Sequence, residues 1–167
     1  MSYIASPMTD WTGSRDPLPT EISPDGKSLV NTPGPRSSTY DAFPVGFKEN
    51  KNGFDFHIYY NAHVKGELEF ARELHERIRR EFPELRIYKF WEKPVGPHPV
   101  SMFEVNVFDP AQTGALFTFL ALRRGKLSVL IHPNTGDDLG DHTHRATWMG
   151  QPYPLILDFL RPTPLAA

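Results

Sequence analysis

From Phe54 to Tyr60 apolar and polar positions alternate. Phe54, Phe56, Ile58 and Tyr60 take one side, Asp55, His57 and Tyr59 the other. A period of two sends successive side chains to opposite faces, so this is a half-buried strand. The period then changes. Leu68, Ala71, Leu74, Ile78 and Phe82 recur at helical spacing, which predicts a helix over roughly 65–82 with one apolar face. Glu73 and Arg77 make a favourable pair one turn apart on its wet side, and Pro83 stops it. Leu85–Trp91 is rich in β-formers and reads as a second strand.

The run Glu92–Pro99 carries too much Pro and Gly for strand or helix and is a loop. In Ser101–Phe108, a third strand, Phe103, Val105 and Val107 alternate with Met102, Glu104 and Asn106. Asp109-Pro110-Ala111-Gln112 starts a second helix: Asp caps, Pro takes the first helical position and Gln sits where a capping box wants it. That helix runs to about Arg124, and Gly125 ends it. Leu127–His132 is a fourth strand, with Leu127, Val129 and Ile131 against Ser128, Leu130 and His132. A turn-rich loop from Pro133 to Gly136, a polar histidine segment and a short apolar stretch, Leu155–Leu160, follow.

The order β-α-β-β-α-β predicts an α+β, ferredoxin-like sandwich. Its antiparallel sheet has the order 4-1-3-2, with both helices on one face. Residues 1–52 stand apart. They hold Pro7, Pro17, Pro19, Pro24, Pro33, Pro35 and Pro44 and show no period. Such a stretch is either a loose tail or an ordered arm. Tyr3, Ile4, Trp11, Tyr40, Phe43 and Phe47 are costly to leave in water and favour an arm that packs on its own core or on a partner subunit. The expected division is an arm over 1–52, a domain over 53–161 and a tail over 162–167.

Composition narrows the chemistry. The 167 residues contain no Cys and 7 His, which leaves histidine as the soft metal ligand in quantity. A formal charge of −2 offers no electrostatic case for nucleic acid or an anionic membrane surface. No apolar run of about 18 residues is present, and the N-terminus lacks the basic start and apolar core of a secretory signal. A cytoplasmic protein is expected.

The topology orients the histidines. If the most apolar set of each strand faces the helices, the opposite face carries His57 and Tyr59, Glu104 and Asn106, and Leu130 and His132. Strands four, one and three are neighbours, so His132, His57 and Glu104 are expected side by side, about 4.8 Å from strand to strand. Two histidines and a carboxylate with open positions is the set typical of non-heme Fe(II) oxygenases. A slip of one residue would turn any of them to the other face. His98 lies in the loop that can overhang this face. His142 and His144, with Arg145 and Trp148, follow the fourth strand next to His132. His63 and His75 read as surface residues.

Three blocks carry a resemblance: Phe56-His-Ile-Tyr-Tyr60; Pro94-Val-Gly-Pro-His-Pro-Val100 running into Met102-Phe-Glu-Val105; and His132-Pro-Asn-Thr-Gly136 with Asp141-His142 and Trp148-Met-Gly150. In this order, over roughly 53–161, they resemble the DOPA 4,5-dioxygenase family. The resemblance implies extradiol cleavage of a catechol such as L-DOPA with O2 and a non-heme Fe(II), and its motif histidines match His57, His98, His132 and His142. On that footing His57, His132 and Glu104 are the expected iron ligands, and His98 or His142 the acid/base. In the rival assignment His142 is a ligand and Glu104 orients a histidine. Tyr59, Arg145 and Trp148 are candidate substrate contacts, Arg145 for a substrate carboxylate. Exposed sheet edges and the aromatic-bearing arm point to a homodimer. The competing reading is a non-catalytic dimeric ferredoxin-like module that binds a ligand through its open sheet face.

Overall fold

A computed structural model describes residues 6–9, 11–44, 46–49 and 51–161. Tyr3, Ile4 and the tail 162–167 lie outside the described residues. The chain divides into two compact units, Met1–Ser37 and Ser38–Ala167.

The first unit is built from local turns. Ile22 and Leu29 pair across a tight turn, in which Asp25 accepts the backbone N–H groups of Lys27 and Ser28. Gly26 there takes the left-handed φ of 72° that the turn requires. Trp11 donates its indole N–H to Ser14 O. The prolines prevent longer ladders, so each contact is closed by a nearby side chain or carbonyl.

The second unit contains the predicted sandwich. Its strands are β1 (Phe54–Tyr59), β2 (Arg86–Ile87), β3 (Met102–Val107), β4 (Ser128–Pro133) and β5 (Thr147–Met149), and its helices α1 (Glu67–Glu81), α2 (Pro110–Arg123) and α3 (Asp138–Asp141). The antiparallel sheet runs β2-β3-β1-β4-β5. This is the expected order with β5 added beside β4. The second strand is shorter than expected, although Tyr88 and Trp91 still bond to Glu104 and Met102. Neither α3 nor β5 is long enough to display a period, so neither was expected.

Each predicted inward set reaches the core. Phe56, Ile58, Phe103, Val105, Val107, Leu127, Val129 and Ile131 pack with Ala71, Leu74 and Ile78 of α1 and Leu116 and Leu120 of α2. Burying each large aliphatic side chain contributes about 1.5–3 kcal/mol. The start of α2 is capped as its sequence demands. Asp109 accepts from Gln112 N at 2.8 Å, and Gln112 Oε1 accepts from Phe108 N at 2.8 Å. On α1, Arg77 pairs with Glu81 instead of Glu73; both carboxylates lie one turn away. His75 is not a solvated residue. Its Nε2–H donates to Tyr88 O at 2.9 Å, and the ring packs edge-on against Phe90 and Phe103.

Within this unit Phe43, Phe47 and Lys48 reach the sheet. Phe43 and Phe47 stack at 4.7 Å and both rest on Phe54. Lys48 N bonds Asn134 O, beside β4. The face away from the helices is not bare. Tyr59, Met102 and Leu130 form a second cluster there, roofed by Trp91, Val100, Ala146, Trp148, Tyr153 and Leu155. Among the described residues no helix is long and apolar enough to cross a membrane.

Candidate metal centre

The central strand β1 sends His57 to the roofed face, where it is 3% exposed. Its register partners are Glu104 on β3 and Leu130 on β4. His132 stands opposite Asp55, one step of the pleat along. The expected row of His132, His57 and Glu104 is therefore a diagonal: the antiparallel register sets His132 two residues off. The diagonal still brings the rings together, with His57 Nε2 and His132 Nε2 3.0 Å apart.

The segment after β4 supplies a third ring. The short helix α3 is capped by Asp137, which accepts from Gly140 N, and ends on His142. Gly140 lies under the Asp137–Arg145 ion pair, where a Cβ would collide with both side chains. Asp141 is buried and accepts from Thr135 N at 2.8 Å and Thr135 Oγ1 at 2.7 Å. These contacts fix His142 over His132, with ring centroids 3.9 Å apart. One ligand atom each from His57, His132 and His142 lies within 4.8 Å of the other two.

Hydrogen bonds at the far side of each ring decide which nitrogen is free. His132 Nδ1 is 2.9 Å from Pro133 O and His142 Nδ1 is 2.8 Å from Asp138 O. A carbonyl only accepts, so both Nδ1 atoms carry hydrogen and both Nε2 atoms are lone pairs. His57 Nδ1 is buried without a hydrogen bond, 3.9 Å from Glu104 Oε2. Two imidazole nitrogens 3.0 Å apart must share a proton or a cation. The same spacing belongs to two nitrogens about 2.1 Å from one ion at about a right angle. The donor set fits a metal.

Electrostatics keep His57, His98 and His142 neutral. Burial, then the neighbouring His98, His132 and His142, holds His57 well below the ordinary imidazole range. Burial, then His142 and His132, brings His98 down to about 3. His142 is lowered too, chiefly by burial. Desolvation and mutual repulsion thus leave uncharged rings, the form that ligates. Glu104 is pushed up to about 7 by burial and then by Asp55.

The other expected site residues divide. Glu104 accepts from Asn106 Nδ2 at 2.7 Å and sits behind His57 Nδ1 rather than among the converging nitrogens. The His98 ring lies against His57, tilted by 34° with centroids 4.2 Å apart. Tyr59 is fully buried, with its hydroxyl 2.6 Å from His98 Nδ1. Trp148 stacks on Tyr59 at 5.5 Å and forms part of the roof. The guanidinium of Arg145 is taken by Asp137 at 2.9 Å and Asp141 at 3.2 Å. It ties down the loop that bears His142. His63 and His144 are exposed.

Asp55 is the near neighbour that the sequence reading passed over. Its Oδ2 lies 3.8 Å from His132 Nε2, and Asn52 and Asn106 both donate to its Oδ1. The alternation that put His57 on this face put Asp55 there too. Asp141 gave no such signal, because only the folded loop buries it. A surface hollow of about 710 Å³ lined by Arg72, His75, Glu76, Arg79, Lys89 and Phe90 lies elsewhere and gathers no comparable donor set.

Comparison with known proteins bears on this geometry. The model of the Dopa 4,5-dioxygenase family matches residues 54–159, which include every histidine of the cluster. An uncharacterised 21.2 kDa protein of Botryotinia fuckeliana is 54% identical over 154 residues, 87% of this chain and 84% of that protein. A DOPA 4,5-dioxygenase of Amanita muscaria is 38% identical over 108 residues, 61% of this chain; the match spans 46% of that protein's length. The crystal structure of a Nostoc punctiforme protein, provisionally described as a dioxygenase, superposes with a TM-score of 0.55 at 33% identity. It covers 65% of this chain and 90% of that one.

Proposed function

This chain belongs to the Dopa 4,5-dioxygenase family, and on that premise we propose that it is a non-heme iron extradiol dioxygenase that opens a catechol ring such as that of L-DOPA. The observation that carries the reading is the convergence of His57, His132 and His142 on one point. In this reading these three hold Fe(II), Glu104 orients His57 through Nδ1, and His98 attends the substrate. A bound Fe(II) supplies the redox partner for O2 and lowers the pKa of the catechol hydroxyls.

The reaction balances without an external reductant. One ring C–C bond beside the catechol oxygens breaks, and both atoms of O2 enter the product as an aldehyde and a carboxylic acid. The chain's own residues have three tasks. Neutral imidazoles present lone pairs at neutral pH, because burial keeps protons off them. The roof of Trp148, Tyr153 and Leu155 limits water at the ring and offers an aromatic wall. The loop pins at Asp141 and Arg145 hold His142 in place. Arg145 is not carried into substrate recognition, since its charge is already met. With this reading we propose a cytoplasmic setting, a homodimer, and a catalytic domain over 53–161 flanked by an arm (1–52) and a tail (162–167).

The test loads the full chain with Fe(II) anaerobically and admits air with L-DOPA or other catechols. Oxygen uptake with a yellow semialdehyde product is expected. Stoichiometric iron with no turnover across a catechol panel would replace the enzyme reading by the dimeric ligand-binding module.

A further inference from the structure

The four clustered histidines differ in what meets Nδ1. At His132 and His142 it is a carbonyl, an acceptor. At His98 it is the hydroxyl of Tyr59, 2.6 Å away. That hydroxyl has no other hydrogen bond among the described residues, and Tyr59 is 0% exposed. A phenol keeps its proton at neutral pH, and a buried O–H requires an acceptor. If Nδ1 carried the imidazole hydrogen, the phenol would accept it and its own hydrogen would have nowhere to go. One arrangement satisfies both groups: Tyr59 O–H donates to Nδ1, and the hydrogen of neutral His98 sits on Nε2.

Both partners are held rigidly. The Tyr59 ring is clamped between Trp148, at 5.5 Å and 25°, and Tyr153, at 5.2 Å and 29°. His98 closes a tight turn in which it and Val95 exchange backbone bonds, His98 N to Val95 O at 3.0 Å and Val95 N to His98 O at 3.2 Å. Gly96 in that turn has φ 53°, and Ile156 N ties Pro97 O at 2.9 Å. The His98 ring therefore lies fixed over His57 and 5.9 Å from His142, and its Nε2 meets no protein partner among the described residues.

We infer that Tyr59 is a positioning residue that locks His98 in the Nε2–H tautomer, so that His98 serves as a hydrogen-bond donor to an oxygen of the bound substrate and not as a metal ligand. The donor role rests on the dioxygenase reading; the tautomer does not. The direction of the Tyr59 hydrogen bond thus separates His98 from His132 and His142, whose Nε2 lone pairs face the cluster.

The experiment uses the full chain labelled with 15N-histidine, without added metal. Long-range proton–nitrogen correlations report the tautomer, and His98 is assigned by the signal lost in His98→Gln. The expected result is Nε2–H in the parent and a shift toward Nδ1–H in Tyr59→Phe, which keeps the ring and removes the donor. Nδ1–H in the parent, or no change in Tyr59→Phe, overturns the inference. Zn(II) titration gives a second readout: His98→Gln is expected to bind like the parent, and a loss as large as in His142→Ala overturns the exclusion of His98 from the ligands. In the iron-loaded enzyme, Tyr59→Phe is expected to lower kcat about tenfold with KM and iron content unchanged. A parent with the stated tautomer and no catechol turnover overturns the dioxygenase reading and the donor role with it, while the lock itself stands.

Discussion

Asp141 joins the stability of the fold to the geometry of the centre. Its side chain is 2% exposed and accepts three hydrogen bonds: Thr135 N at 2.8 Å, Thr135 Oγ1 at 2.7 Å and Arg145 NH1 at 3.2 Å. In Asp141→Ala the half-buried Thr135 N–H loses its acceptor, and each hydrogen bond to a charged group is worth about 1.5–3 kcal/mol. The Arg145 contact counts for little, because the guanidinium is largely exposed and keeps Asp137. Two bonds with incomplete additivity give a cost of about 3–4 kcal/mol. At about 2–4 °C per kcal/mol for a chain of this size, Tm should fall by about 10 °C. Thr135→Val removes the hydroxyl but keeps the backbone N–H, and should cost only about 1.5–2 kcal/mol. His142 follows Asp141 directly, so a loosened loop should also weaken Zn(II) or Fe(II) binding tenfold or more. Urea unfolding and metal titration of both variants measure these effects. An Asp141→Ala protein within about 0.5 kcal/mol of the parent, with unchanged metal affinity, would refute the reasoning.

Other outcomes follow from the same geometry. Glu104→Gln should retain metal stoichiometry while His57→Ala and His142→Ala lose it, read by metal analysis after anaerobic loading; loss of metal in Glu104→Gln would restore the carboxylate to the ligand set. Leu120→Ala, at a fully buried position of α2, should cost about 3 kcal/mol. Leu122→Ala, 83% exposed on the same helix, should stay within about 0.5 kcal/mol, and urea midpoints compare the two. The metal-free protein should lose stability on acidification. His57, His98, His142 and His75 are all held below their ordinary 6.5, so the unfolded chain takes up protons there that the folded chain refuses. Their contribution is complete above about pH 6.5 and is lost as pH falls. Glu104, raised from 4.5 to about 7, opposes this, because the folded chain keeps a proton that the unfolded chain has released. The histidines outnumber it, and stability should fall by on the order of 1–3 kcal/mol per pH unit from pH 7 towards 5. Urea midpoints that stay flat or rise over that range would contradict the sign.

What the sequence by itself determined was the side of each strand. A period of two is a local property of extended backbone, so the alternation in Phe54–Tyr60, Ser101–Phe108 and Leu127–His132 assigned the strand positions that face the helices and placed His57, His132 and Glu104 on the opposite face. Helix limits were legible for the same reason: Pro83, the Asp109–Gln112 cap and Gly125 act within a few residues. Element order then implied the sheet order, because short connections and layer packing leave few alternatives.

Only the tertiary structure decided how far along each strand these residues meet. Register depends on loops and on partners distant in sequence, and it set His132 opposite Asp55, not opposite His57. It also built the roof. The helix α3 and strand β5 are too short for any period to show, yet they carry His142 and Trp148 to the sheet. The partners of each polar side chain are decided at this level as well. Arg145 reads as a free cation in the chain and is spent on Asp137 and Asp141 in the fold. Imidazole tautomers follow from whichever donor or acceptor reaches Nδ1: Pro133 O, Asp138 O or the Tyr59 hydroxyl. Those are contacts of a few ångströms between groups up to 39 residues apart, and no pattern along the chain encodes them.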